Sequence, residues 1–218
     1  MGILAASILT ADFTNLEHQI HLVEQGGADW LHCDIMDGHF VPNITFGPLV
    51  VESAKRVTEL PIDVHLMVEK PELYLEDFIN AGADYVSVHV EEVVHLNRTV
   101  HRIKELGAKA GVVINPATLV NSVKDVAEYI DLLLIMTVNP GFGGQTFIPN
   151  SLRRIKEAVN LRKELGANFL IEIDGGINAA IAKKTFQAGA EVFVVGSSIF
   201  SADDITVAAR EIKTAISK

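Results

Sequence analysis

The sequence holds a single cysteine, Cys33, so no intrachain disulfide can form and a reducing compartment is expected. It contains no apolar run long enough to cross a bilayer, so no membrane partner is expected. Basic residues are scarce: 18 Lys and Arg stand against 28 Asp and Glu, a formal net charge of −10. A nucleic acid or an anionic membrane would favour a basic surface, so both are excluded as expected partners. A small anion is not, because a few backbone N–H groups or a metal can hold a phosphate inside an acidic protein. The opening residues lack a basic region, and Asp12 arrives before an apolar stretch of signal length is complete; a cytoplasmic location is expected. The dinucleotide fingerprint is missing too. Gly141-Phe142-Gly143-Gly144-Gln145-Thr146 lacks the last glycine, and no Walker lysine follows any glycine cluster.

What is present is a rhythm. Short apolar runs rich in β-branched residues recur at Ile3–Leu9, Trp30–Ile35, Ile62–Met67, Tyr85–Val90, Ala110–Ile114, Leu132–Val138, Phe169–Ile173 and Val192–Val195. Amphipathic stretches of helical spacing lie between them, such as Leu16–Glu24, Leu73–Ala81, Leu96–Leu106 and Leu152–Leu165. In Leu96–Leu106, Leu96, Val100, Ile103 and Leu106 share a face while Arg98, Arg102 and Glu105 look out. Gly-Ala plus a polar residue closes a helix and opens a strand at Gly27, Gly82, Gly107, Gly166 and Gly189. No linker or composition shift marks a second domain, so residues 1–218 read as one α/β domain. Eight strand–helix units in this length predict a (β/α)8 TIM barrel, with an open doubly wound sheet as the alternative.

Alternate residues of a barrel strand face the interior, and chemistry collects at the C-terminal ends. His32 and Asp34 share a face at the end of the second strand, His65 lies inward near the end of the third, and Asp174 closes the seventh. Two imidazoles and two carboxylates from three strands suit one divalent ion, Zn2+ or Fe2+ first, with Mn2+ or Co2+ also compatible. The alternative is four separately satisfied polar groups at the mouth. Cys33 alternates outward, as a small core residue. His89 faces inward at the end of the fourth strand, either behind the ligands or as a structural ring; His39 sits in the loop after the second strand with its role open. His18, His21, His95 and His101 fall in helical stretches and are expected at the surface.

Glycine clusters follow the last three strands: Asn139-Pro140-Gly141-Phe142-Gly143-Gly144-Gln145, Gly175-Gly176 and Gly196-Ser197-Ser198. Backbone N–H groups freed of side chains at the last loops of a barrel make a phosphate cradle; tight turning alone is the alternative.

With these residues the chain resembles the ribulose-phosphate 3-epimerase family from Ser7-Ile8-Leu9-Thr10-Ala11-Asp12-Phe13 to Val194-Val195-Gly196-Ser197. The most specific stretches are Asp34-Ile35-Met36-Asp37-Gly38-His39-Phe40-Val41-Pro42-Asn43, Asp63-Val64-His65-Leu66-Met67, the Asn139–Gln145 loop and Asp174-Gly175-Gly176-Ile177. The resemblance implies metal ligation by His32, Asp34, His65 and Asp174, with Asp34 and Asp174 doubling as the acid/base pair. It implies substrate contacts from Ser7 and His65, and phosphate contacts from Gly141, Phe142, Gly143, Gly144, Gly175, Gly176, Gly196 and Ser197. It also implies a methionine shield of Met36, Met67 and Met136, and a homo-oligomer, dimeric or hexameric. Cys33, Thr137 and Ser198 depart from the family's usual residues, and none of them removes a ligand.

The activity implied is interconversion of D-ribulose 5-phosphate and D-xylulose 5-phosphate through an enediolate at C3. Related readings are a 3-epimerase of a ketohexose 6-phosphate such as allulose 6-phosphate, a non-catalytic phosphosugar-binding protein, and a metal-dependent phosphatase. Both carboxylates speak against mere binding, and three methionines speak against the wet metal position that hydrolysis needs.

Overall fold

The computed structural model describes residues 1–217. Eight parallel strands close on themselves in chain order: β1 (Ile3–Ser7), β2 (Trp30–Met36), β3 (Ile62–Met67), β4 (Tyr85–His89), β5 (Lys109–Ile114), β6 (Leu132–Met136), β7 (Leu170–Asp174) and β8 (Val192–Val195). The closing pair sets Ile3 beside Val192 and Ala6 beside Val195. This is the (β/α)8 barrel that the rhythm predicts, and closure excludes the open sheet.

The helices on the outside are α1 (Leu16–Gly26), α2 (Pro48–Lys55), α3 (Leu75–Asn80), α4 (Leu96–Glu105), α5 (Ser151–Leu165), α6 (Ala179–Ala188), α7 (Ser197–Phe200) and α8 (Ile205–Ala215). In α4, Val100 and Ile103 are buried, as their spacing requires. The five capping glycines all take the left-handed conformation, with φ from 64° to 110°. Between β5 and β6 the chain forms a 3-10 helix, Val120–Val126, rather than an α-helix. Its buried valines, Val120, Val123 and Val126, recur every third residue, the period that a 3-10 helix aligns on one side.

The outer faces of the strands and the inner faces of the helices form one apolar layer, in which Phe169 and Phe193 are the largest fully buried side chains. Each such side chain contributes about 1.5–3 kcal/mol relative to exposure. Cys33 belongs to this layer and is fully buried, as alternation predicts. The floor of the barrel is plugged by Ala5, Trp30, Tyr85, Leu132, Val192 and Val194, with the Trp30 and Tyr85 rings 4.4 Å apart.

The polar residue that opens several strands has a definite task. Asp29 accepts from the Leu4 N–H at 2.7 Å, Asp84 from Ile62 at 2.8 Å, Asp131 from Ala110 at 2.9 Å and Glu191 from Ile171 at 3.1 Å. Each ties its strand start to a neighbour, and each also meets a cation from a helix: Lys213, Lys55, Lys104 and Arg162 respectively. Among the described residues no helix is long and apolar enough to cross a membrane.

Candidate active site

The inward positions of β2, β3 and β7 run His32 and Asp34, then Asp63 and His65, then Glu172 and Asp174. Parallel pairing sets His32 beside Asp63 and Asp34 beside His65. One donor atom from each of His32, Asp34, His65 and Asp174 lies within 4.8 Å of all the others. The four residues named from the strand ends are thus brought together at one point. His32 and His65 are fully buried, Asp34 nearly so, and Asp174 is partly exposed.

Asp34 is the hub. Its Oδ1 faces His32 Nε2 at 3.2 Å and His65 Nδ1 at 3.0 Å, and its Oδ2 accepts from Ser7 Oγ at 2.7 Å. On the far side of the ring, His32 Nδ1 donates to Asp63 Oδ2 at 2.6 Å. Burial would raise the Asp34 carboxyl, but the charge and hydrogen bond of His32, foremost among the opposing causes, hold it well below the usual range. Asp174 goes the other way: burial first, then the charge of Asp34, push it up to about 8. Burial would lower the His32 ring, but Asp34 and Asp63 outweigh it and keep the ring charged without an ion.

These residues fit a divalent ion. With its Nδ1 proton committed to Asp63, His32 presents Nε2 to the Asp34 oxygen, and two lone pairs at that range in a dry site require a cation or a proton between them. Two imidazole nitrogens and two carboxylates are donors for a borderline metal. His32, Asp63 and Glu172 also cluster, one layer deeper. That layer is fully buried and its ring nitrogen is already taken by Asp63, so it serves to support the upper cluster.

Above the cluster opens a cleft. Asp34, Asp174 and Ser7 line it with Met36, Met67 and Met136, together with the glycine loops of Gly141, Phe142, Gly143, Gly144, Gly175, Gly176, Gly196 and Ser197. Met36, Met67 and Met136 are buried to within 4% of full occlusion. His65, expected to touch substrate as well, lies fully buried under the floor and lines no wall of the cleft. Gly176 shows why glycine is needed there: φ is +68°, and a Cβ would stand 2.4 Å from the Phe147 nitrogen. Side chains brace the loops, Asn43 Nδ2 donating to the Gly141 carbonyl at 2.9 Å and Gln145 Nε2 to that of Asn139 at 2.7 Å.

Several participants were not singled out from the sequence. Asp63 and Glu172 sit two residues before His65 and Asp174 on the same inward face, so the alternation that found the four clustered residues points to them as well. Burial, then the charge of Asp63, hold the Glu172 carboxyl well above its usual range. Thr10 lines the cleft beside the glycines, where its hydroxyl meets no partner. His89 faces inward, its Nε2 2.9 Å from His65 Nε2. His39 is exposed in the loop after β2, against Asp37. His18, His95 and His101 are exposed, but His21 is half-buried and bonds the Val57 carbonyl at 3.1 Å.

Residues 3–200 match the family described as the Ribulose-phosphate 3 epimerase family. The chain is 52% identical to the chloroplastic ribulose-5-phosphate-3-epimerase of Arabidopsis thaliana, over 97% of this chain and 76% of that protein. It is 52% identical to the ribulose-phosphate 3-epimerase of Bacillus subtilis (strain 168), over 96% of this chain and 97% of the relative. Among solved structures, a 3-hexulose-6-phosphate synthase superposes with a TM-score of 0.76 at 19% identity, covering 100% of both chains. A KGPDC from Streptococcus mutans superposes with a TM-score of 0.75 at 13% identity, covering 99% of this chain and 97% of that one. Identities this low speak to the fold alone.

Proposed function

Because the chain belongs to the ribulose-phosphate 3-epimerase family, and is thereby an isomerase, we propose that it interconverts D-ribulose 5-phosphate and D-xylulose 5-phosphate with Asp34 and Asp174 as its two proton carriers. Inverting a carbon beside a ketone means taking its hydrogen as a proton and returning one to the opposite face. In one direction Asp34 removes the C3 proton and Asp174 delivers another; in reverse they exchange roles. One group must begin as base and the other as acid. The observation that supports this reading most is geometric: β2 and β7 bring two carboxyls, Asp34 and Asp174, into one cluster at the foot of the cleft, and without an ion burial and the charge of Asp34 push Asp174 up while Asp34 is held down.

The other residues follow from the charge that develops. Ser7 holds the Asp34 oxygen that faces away from the imidazoles. Met36, Met67 and Met136 exclude water while letting the plane of the sugar shift. The backbone N–H groups of the Gly141–Gly144, Gly175–Gly176 and Gly196–Ser197 loops receive the phosphate. A divalent ion held by His32, Asp34, His65 and Asp174, Zn2+ or Fe2+ by donor chemistry, would supply Lewis-acid stabilisation of the enediolate oxygens. The same proposal takes residues 1–218 as one domain of a cytoplasmic homo-oligomer.

The test is to incubate the protein with D-ribulose 5-phosphate in heavy water and follow C3 by NMR. Deuterium at C3 together with xylulose 5-phosphate is expected. Binding without exchange, or release of free phosphate, would sink the reading.

A further inference from the structure

A chain of hydrogen bonds runs from His65 to the protein's edge without entering the cleft. His65 Nε2 lies 2.9 Å from His89 Nε2, and His89 Nδ1 lies 3.1 Å from Glu91 Oε2. The other Glu91 oxygen accepts from the Asn115 N–H at 2.9 Å and from the Thr118 hydroxyl. A backbone N–H can only donate, so Glu91 Oε1 is an acceptor. These bonds overcome the effect of burial and draw its carboxyl down to about 2, so it stays ionised.

The direction of every proton then follows. Facing a carboxylate, His89 Nδ1 carries the hydrogen. Two ring nitrogens 2.9 Å apart share one hydrogen, and a neutral imidazole whose hydrogen sits on Nδ1 has none to give from Nε2. His89 Nε2 is therefore a bare acceptor, and the nitrogen opposite it, His65 Nε2, must donate. His65 is left with an unprotonated Nδ1, and that atom points at Asp34 Oδ1, 3.0 Å away.

We propose that His89 and Glu91 are positioning residues: they lock His65 in the tautomer that presents Nδ1 to the cluster, as Asp63 locks His32 from the other side. The consequence for metal binding rests on His65 being a ligand; the tautomer itself does not. The arrangement matches the outer partners that orient metal-bound imidazoles generally. It also gives the inward His89 a task that packing does not require. His89 packs against Phe40 in a tilted pair, with ring centroids 4.6 Å apart, and a phenyl ring has the flat apolar shape to take its place.

That likeness of shape supplies the experiment. His89→Phe keeps the ring and removes the acceptor; His89→Gln keeps an acceptor oxygen and removes the ring. Zn2+ dissociation constants, measured by competition with a chromophoric chelator, are expected to rise about 10–100-fold in His89→Phe and to stay within about threefold of the parent in His89→Gln. Long-range proton–nitrogen NMR of the parent is expected to show His89 as the Nδ1–H tautomer. Should His89→Phe melt early, Glu91→Leu tests the same chain from its 24%-exposed outer side chain and is expected to release His89 from that tautomer. Parent-like zinc affinity in His89→Phe, or His89 protonated at Nε2 in the parent, overturns the proposal. If the parent takes up no zinc, the metal reading fails, and the NMR result alone decides whether the lock exists.

Discussion

At the N-terminal end of the barrel, Asp29, Asp84, Asp131 and Glu191 each accept a backbone N–H and each meets a Lys or Arg. At the C-terminal end, Asp34, Asp63, Glu172 and Asp174 face histidines and one another, and among the described residues no Lys or Arg pairs with them. The same residue types stabilise the fold at one end and store unbalanced charge at the other. A paired carboxylate at the rim is conformationally tied and chemically quiet. A cluster of buried acids and imidazoles that no Lys or Arg pairs with is poised to take up a metal or a proton, and the apolar plug below it supplies stability in its place.

The sharpest way to probe this division is Asp174→Asn. Turnover is expected to fall about 10²–10⁴-fold by the measure of lost acid/base catalysis, while the folded barrel persists by circular dichroism. Near-normal activity would remove Asp174 from proton transfer. At the opposite end, Trp30→Ala empties the plug and is expected to cost about 3–5 kcal/mol in denaturant unfolding, with kcat intact well below the melting temperature. A large loss of kcat there would show that the two ends are not separable. Asp84→Ala leaves the Ile62 N–H without its acceptor and is expected to cost about 1–3 kcal/mol, again with activity retained.

Acidity gives a finer contrast. Asp174 binds its proton more tightly when folded, at about 8, than when unfolded, at 3.8. Its contribution to the stability of the metal-free protein is therefore full below about pH 4 and fades as pH rises through 8. Metal-free Asp174→Asn should gain in melting temperature over the parent as pH rises across that window. A pH-independent difference for Asp174→Asn would contradict the shift. The smallest effect is expected at Cys33, fully buried and with its thiol pushed up to about 12, burial first among the causes. The native protein should resist iodoacetamide at pH 8 over hours, and rapid alkylation would mean that the layer between strands and helices opens.

Much of this was legible in the residues. The strand period turned His32, Asp34, His65 and Asp174 inward, and the glycine clusters lay after the right strands to reach one cleft. Ligand spacing within a strand is local, so the sequence carries it directly. The level of a side chain in the barrel is not local. It depends on how far each strand is staggered against the next, and that is why the contact of Asp63 with His32 across β2 and β3 was not legible, although both residues are inward by alternation. The 3-10 helix at Val120–Val126 and the cation partners of the rim acids were missed for a related reason. Both depend on which neighbour is packed against the segment.

The amino-acid order alone determined the eight strand–helix units, the inward face of each strand and the positions free of side chains, because each follows from a short-range period or a backbone preference. Closure of the sheet decided the rest. By setting donor atoms from β2, β3 and β7 within 4.8 Å of one another, it made Asp34 and Asp174 unequal and gave His65 a neighbour in His89. Proton affinity and tautomer are properties of what surrounds a group in space, and those surroundings exist only in the closed barrel.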